Sequence, residues 1–112
     1  MGSGQGDGTI KKCVAGTYQG TGTETSSKTV ICGFRPSFVH AQTVRIDNGA
    51  IGREITYDSN LSEDYVITAS TTAVSKQTVG ESSGIFYLTD TGFVIPKLYN
   101  SSYFKVYWVA YE

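Results

Sequence analysis

The chain has 112 residues, enough for one compact domain and too few for a second independent core. Lys+Arg 9 against Asp+Glu 10 leaves a formal charge of −1, without the cationic footprint that a sequence-neutral nucleic-acid binder needs to displace counterions. Charged residues are 17% and there are eight tyrosines, which excludes a solvated disordered tail, and no apolar run approaches the ~20 residues of a membrane span. What remains is a soluble all-β module.

Residues 1–9, with Gly at alternate positions, read as a flexible leader or a cloning remnant, and the single domain is expected to span residues 10–112. The stretch from Met1 to Gly8 lacks the apolar core of a signal peptide. Val14 to Thr25 is rich in Thr and Tyr and is expected to be extended, its glycines marking bulges or close backbone approach. Lys28 to Cys32 predicts a short strand, and Phe34-Arg35-Pro36 a corner. Ser37 to Ile46 is apolar on both faces and predicts a central strand. Asp47-Asn48-Gly49 supplies residues that tolerate a positive φ, so a tight turn belongs there, with a strand from Arg53 to Tyr57 returning from it.

Beyond the polar loop Asp58 to Asp64, Tyr65 to Ala69 is a strand, while Ser70 to Gly80 suits a long loop or an edge strand equally. Ile85 to Thr89 and Phe93 to Ile95 flank an Asp90-Thr91-Gly92 turn, and Pro96 ends the second of them. The last strand, Tyr103 to Tyr111, alternates with period two. Phe104, Val106, Trp108 and Ala110 make a core face; Tyr103, Lys105, Tyr107, Val109 and Tyr111 lie on the other. That second face is too aromatic for ordinary solvent surface and too polar at its tips for a sealed interior. Such a face suits a subunit seam or a ligand platform, and Lys105, Tyr107, Val109 and Tyr111 are the candidate oligomer interface. Strands of this length, with turn signals about every ten residues, predict an antiparallel β-sandwich.

Cys13 and Cys32 leave two readings open, a disulfide between neighbouring strands or two thiols of a protein made in a reducing cytoplasm; the absence of an export signal favours the second. No Cys-x-x-Cys or His/Cys cluster suggests zinc. Tyr57, Asp58, Asn60, Glu63, Asp64 and Tyr65 form a polar and aromatic cluster whose oxygens suit Ca²⁺, yet its spacing fits no EF-hand and it reads as a solvated acidic loop. No metal and no cofactor is expected. His40 is the only histidine. Cys32 with His40 is the only Cys/His pairing worth weighing, and from sequence no Ser or Cys can be shown to approach the imidazole as a nucleophile triad requires. Glu63 and Asp64 are adjacent, so on a strand they would point apart. A non-enzymatic protein is expected.

Leu88-Thr89-Asp90-Thr91-Gly92-Phe93-Val94-Ile95, followed by a polar loop and then Lys105-Val106-Tyr107-Trp108-Val109-Ala110-Tyr111, resembles the closing hairpin of the H-type lectin fold. Gly33-Phe34-Arg35-Pro36-Ser37-Phe38-Val39 is similar to an upstream segment of that family. Ala15 to Thr23 looks like the opening of small modules in phage and prophage tail proteins. The resemblance implies an H-type lectin-like antiparallel β-sandwich of six or more strands, assembled as a homotrimer. It also implies a place in the virion beside other virion proteins, and a tail-fibre, receptor-binding role in attachment to a host-surface carbohydrate. By position in the loop between the last two strands, Lys97, Tyr99, Asn100 and Tyr103 are the candidate glycan contacts. A Tyr ring stacks on the apolar face of a pyranose, and Asn pairs with vicinal hydroxyls. The alternatives are a structural virion subunit without ligand, such as a capsid decoration or head fibre, and a soluble lectin unconnected with phage. The triplet Asn100-Ser101-Ser102 matches a glycosylation acceptor and, without a signal peptide, reads as accidental.

Overall fold

The computed structural model describes residues 11–22, 26–80 and 86–112. The expected leader, the end of the first extended stretch at residues 23–25, and the turn and strand start at residues 81–85 lie outside them. The described residues form nine strands and one short 3-10 turn: β1 (Cys13–Gln19), β2 (Lys28–Ile31), β3 (Phe38–Arg45), β4 (Ile51–Asp58), β5 (Tyr65–Ala69), β6 (Val74–Thr78), β7 (Tyr87–Thr89), β8 (Gly92–Ile95), the turn Lys97–Tyr99, and β9 (Phe104–Tyr111). All pairings are antiparallel. A six-stranded sheet runs β1-β9-β3-β4-β5-β6 and a three-stranded sheet runs β2-β8-β7, an arrangement compatible with the expected sandwich.

Alternation in β3, β4 and β9 sends one set of side chains inward. Val39, Ala41, Ile55, Val66, Val106 and Ala110 are fully buried and meet Val30, Phe86, Phe93 and Ile95 from the other layer. A chain of rings crosses the core: Tyr57 stacks on Phe86 at 5.9 Å, Phe86 on Phe93 at 6.0 Å, and Phe93 meets Trp108 edge-on at 5.5 Å. Each such side chain, fully buried, stabilises the fold by roughly 1.5–3 kcal/mol. Trp108 lies opposite Gly16 in the register, and a Cβ on Gly16 would stand 2.6 Å from the indole. The glycine of β1 thus makes room for the tryptophan of β9, the close approach that its sequence predicts.

Three boundaries differ from the sequence expectations. β1 stops at Gln19 rather than running to Thr25: the Gly20 N–H still donates in register to the Phe104 carbonyl at 3.0 Å, but the backbone there closes on Ser101, where a Cβ has no room. β4 begins at Ile51 rather than Arg53. Its register against β3 shifts between Gln42 and Val44, and at this bulge the Arg53 N–H donates to the Thr43 hydroxyl at 2.7 Å. The ambiguous stretch from Ser70 to Gly80 contains an edge strand, β6, exposed along its whole length. The predicted turn is present, with Gly49 at φ +73° and Asn48 Oδ1 accepting from the Ala50 N–H. Cys13 and Cys32 are both free thiols.

The two layers are unequal in width. β6, at the margin of the larger sheet, is exposed on both faces. This overhang leaves recesses beneath the larger sheet, and they position the candidate sites.

Candidate functional site

The loop between β8 and β9 divides the four expected glycan contacts. Pro96 fixes φ at −57° and starts the 3-10 turn, whose last residue, Tyr99, is only 4% exposed. Asn100 is 3% exposed, and its amide is used internally. Its Oδ1 accepts from the Thr21 N–H at 3.3 Å, and its Nδ2 donates to the Thr21 hydroxyl at 3.0 Å and to the Ser26 carbonyl at 3.2 Å. Its carbonyl accepts from the Gly22 N–H at 3.1 Å. Asn100 therefore clamps the loop after β1, with its amide engaged by Thr21 and Ser26. Lys97 is half-buried and Tyr103 is 69% exposed.

Tyr99 alone of the four lines a recess, a groove of about 300 Å³ under the β5–β6 overhang, with Arg53, Thr68, Ser75, Gln77 and Leu98. Burial raises the Tyr99 phenol to about 12, and the nearby Arg53 guanidinium opposes the rise. Tyr18, on the inner face of β1, is raised as well, first by burial and then by proximity to Tyr99.

A second recess gathers part of the cluster that the sequence singled out between residues 57 and 65. Tyr57, Glu63 and Asp64 line a cleft of about 520 Å³ with Arg35, Ser59 and Tyr87. The corner Phe34-Arg35-Pro36 brings Arg35 there, the end of β4 brings Tyr57, and β7 brings Tyr87. The other members of the cluster do different things. Asp58 Oδ1 accepts from the Asn60 N–H at 2.9 Å and its carbonyl from Leu61 and Ser62, an Asx turn that shapes the loop. The Tyr65 ring receives Lys76 at 4.9 Å on the outer side of the sheet. Among the described residues no three His, Cys, Asp or Glu converge to hold a metal ion.

The outward face of the six-stranded sheet is the third feature. The register sets Cys13, Tyr111, Phe38 and Asp58 in one row across it. Ala15, Val109, His40, Thr56, Ile67 and Lys76 form the next, and Thr17, Tyr107, Gln42, Glu54, Ala69 and Val74 the third. Phe38 meets Tyr111 edge-on at 5.6 Å, and Lys105 lies over the Tyr107 ring at 5.6 Å. Tyr107 and Tyr111 remain 45% and 47% exposed. The Tyr111 phenol is raised first by the Cys13 thiol beside it. His40 Nε2 stands 3.0 Å from Glu54 Oε1 within this face. Val39 and Ala41 point inward, so His40 points outward, whereas Cys32 packs against the core and donates its S–H to the Phe34 carbonyl. The sheet separates the only Cys/His pairing suggested by the sequence.

Sequence reasoning marked the aromatic side of β9, and His40 as a mid-strand residue able to face a seam, but not Phe38, which continues that side on β3; a strand apolar on both faces was the available signal. It also missed Arg35 and Tyr87, which reach the cleft from distant parts of the chain. No family model matches this chain, and no curated protein or solved structure does either.

Proposed function

We propose that the chain is a non-enzymatic virion module, a tail-fibre or receptor-binding element that assembles as a homotrimer with an H-type lectin-like architecture and attaches to a host-surface carbohydrate. The observation that carries this reading is the outward face of the six-stranded sheet. The row between Tyr107 and Tyr111 carries Ala15, Val109 and Ile67 together with His40, Thr56 and Lys76. Broad aromatic bodies with polar rims suit the closure of one copy on another better than permanent contact with water. Self-association also serves attachment, because several weak sites on one particle bind together far more tightly than one. The sequence likeness to phage tail modules supplies the setting and the trimer.

The inward use of Asn100 favours a second reading, a structural virion subunit of the same assembly without a ligand. One pair of measurements separates the readings. Light scattering at micromolar concentration should give the mass of three chains, and Tyr107→Asp should reduce it to one; a monomeric wild type overturns the proposal. The assembled protein should then adhere to host cells and lose that adhesion after enzymatic removal of surface glycans. Failure to adhere at high concentration would leave the structural subunit.

A further inference from the structure

The cleft between Arg35 and Tyr87 carries a more specific assignment than the loop that the resemblance indicates. Tyr57 is 2% exposed as a residue, and its hydroxyl, which is not sealed off from the cleft, has no hydrogen-bond partner among the described residues. Its ring is fixed by stacking on Phe86, and it lines the cleft together with Glu63 and Arg35. Burial raises this phenol first, followed by the charge of Glu63, with Arg35 opposing and Asp58 adding to the rise. The phenol oxygen therefore keeps its capacity to donate and to accept open to whatever occupies the recess.

The groups around it also have unused capacity. Arg35 has one ion pair among the described residues, at a long 3.8 Å to Asp90, and its side chain is 58% exposed. The Glu63 and Asp64 carboxylates have neither a hydrogen bond nor an ion pair among the described residues. Val79 N–H donates to the Asp64 carbonyl and Asp64 N–H to the Ser62 hydroxyl, and these bonds hold the acidic segment in place. The cleft thus offers two carboxylates that only accept, a guanidinium that only donates, a phenol that does both, and the half-buried Tyr87 ring as an apolar wall. At about 520 Å³ it falls within the roughly 300–1,000 Å³ of small-ligand clefts.

A ligand that meets this set needs closely spaced hydroxyls, which both donate and accept, on a ring with one apolar face. We infer that the cleft of Arg35, Tyr57, Glu63, Asp64 and Tyr87 is a saccharide site selective for uncharged sugars over anionic ones. The selectivity follows from the charge count: two carboxylates against one guanidinium, with Asp58 close to the phenol, repel a sialic acid or uronic acid carboxylate. This assignment rests on the reading of the chain as a glycan-attachment module and adds where the sugar sits and which sugars are refused.

The test uses the full chain in its native assembly on an array of neutral, sialylated and uronic-acid glycans. Titration of the best neutral hit then follows, with wild type, Tyr57→Phe, the pair Glu63→Gln with Asp64→Asn, and Gln77→Ala. Tyr57→Phe keeps the ring in the core and should weaken binding about tenfold, the effect of one hydrogen bond. The double variant should lose neutral-sugar binding and reduce the discrimination against sialylated glycans. Gln77→Ala, in the other groove, should bind as wild type. Loss of binding with Gln77→Ala but not with Tyr57→Phe moves the sugar to that groove: attachment stands and this assignment falls. A wild-type preference for sialylated glycans overturns it, as does adhesion to cells without binding any glycan. Neither adhesion nor glycan binding removes both readings together.

Discussion

The two faces of the six-stranded sheet are built from the same strands and from neighbouring residues, yet they have opposite chemistry. On the inner face Val106 and Ala110 are fully exposed to other side chains and to no water, and Gly16 gives up its own side chain so that Trp108 fits. On the outer face Tyr107 and Tyr111 keep nearly half their surface open and Val109 is half-buried. Strand alternation alone produces the division. The inner face is fully packed, whereas the outer one leaves its aromatic rings partly open to water.

Substitutions at adjacent positions of β9 sharpen this contrast most. Val106→Asp places an unpaired carboxylate in the core, where several kcal/mol of desolvation oppose it; no cooperative thermal transition should remain in calorimetry. Asn100→Ala removes the three side-chain bonds that tie the β8–β9 loop to the loop after β1. It should cost about 2 kcal/mol, with a fall in Tm on the order of 10 °C. Tyr107→Asp, one residue from Val106, should leave the far-ultraviolet circular dichroism spectrum intact and change only the mass in solution. Loss of the fold from Tyr107→Asp would erase the distinction between the faces.

The smallest effect belongs to Asp47, held below its ordinary 3.8 chiefly by the hydrogen bond from Arg45, whose Nε and Nη2 reach its two oxygens at 3.0 and 2.9 Å. Because the folded value is the lower one, the stabilisation is complete above the unfolded value and is lost as pH falls through the folded one. Asp47→Asn should lower Tm slightly at pH 7 and not at all at pH 2, in keeping with an exposed pair.

Much of the strand pattern was legible in the sequence because alternation and turn chemistry are local. Tyr65 to Ala69 is a strand with the expected bounds, the turn at Asn48-Gly49 is where its residue types require it, and both faces of β9 divide as its period predicts. The β4 bulge was not legible, since it depends on the Thr43 hydroxyl facing the Arg53 N–H across the pair. Nor was the fate of Asn100. Its residue type suits a sugar or a clamp equally, and only the arrival of Thr21 and Ser26, far away in sequence, selects the clamp. The cleft was half visible: Tyr57, Glu63 and Asp64 are close in sequence, but Arg35 and Tyr87 are joined to them by topology alone.

The place of β9 between β1 and β3 has a consequence for how the chain emerges from the ribosome. Until residues 104–111 have been synthesised, β1 and β3 have no strand between them, and the larger sheet remains split with two unsatisfied margins. Its closure joins segments that are nearly a full chain length apart, a topology that folds slowly and exposes sticky edges while it waits. Such a chain keeps two open sheet margins until β9 is added.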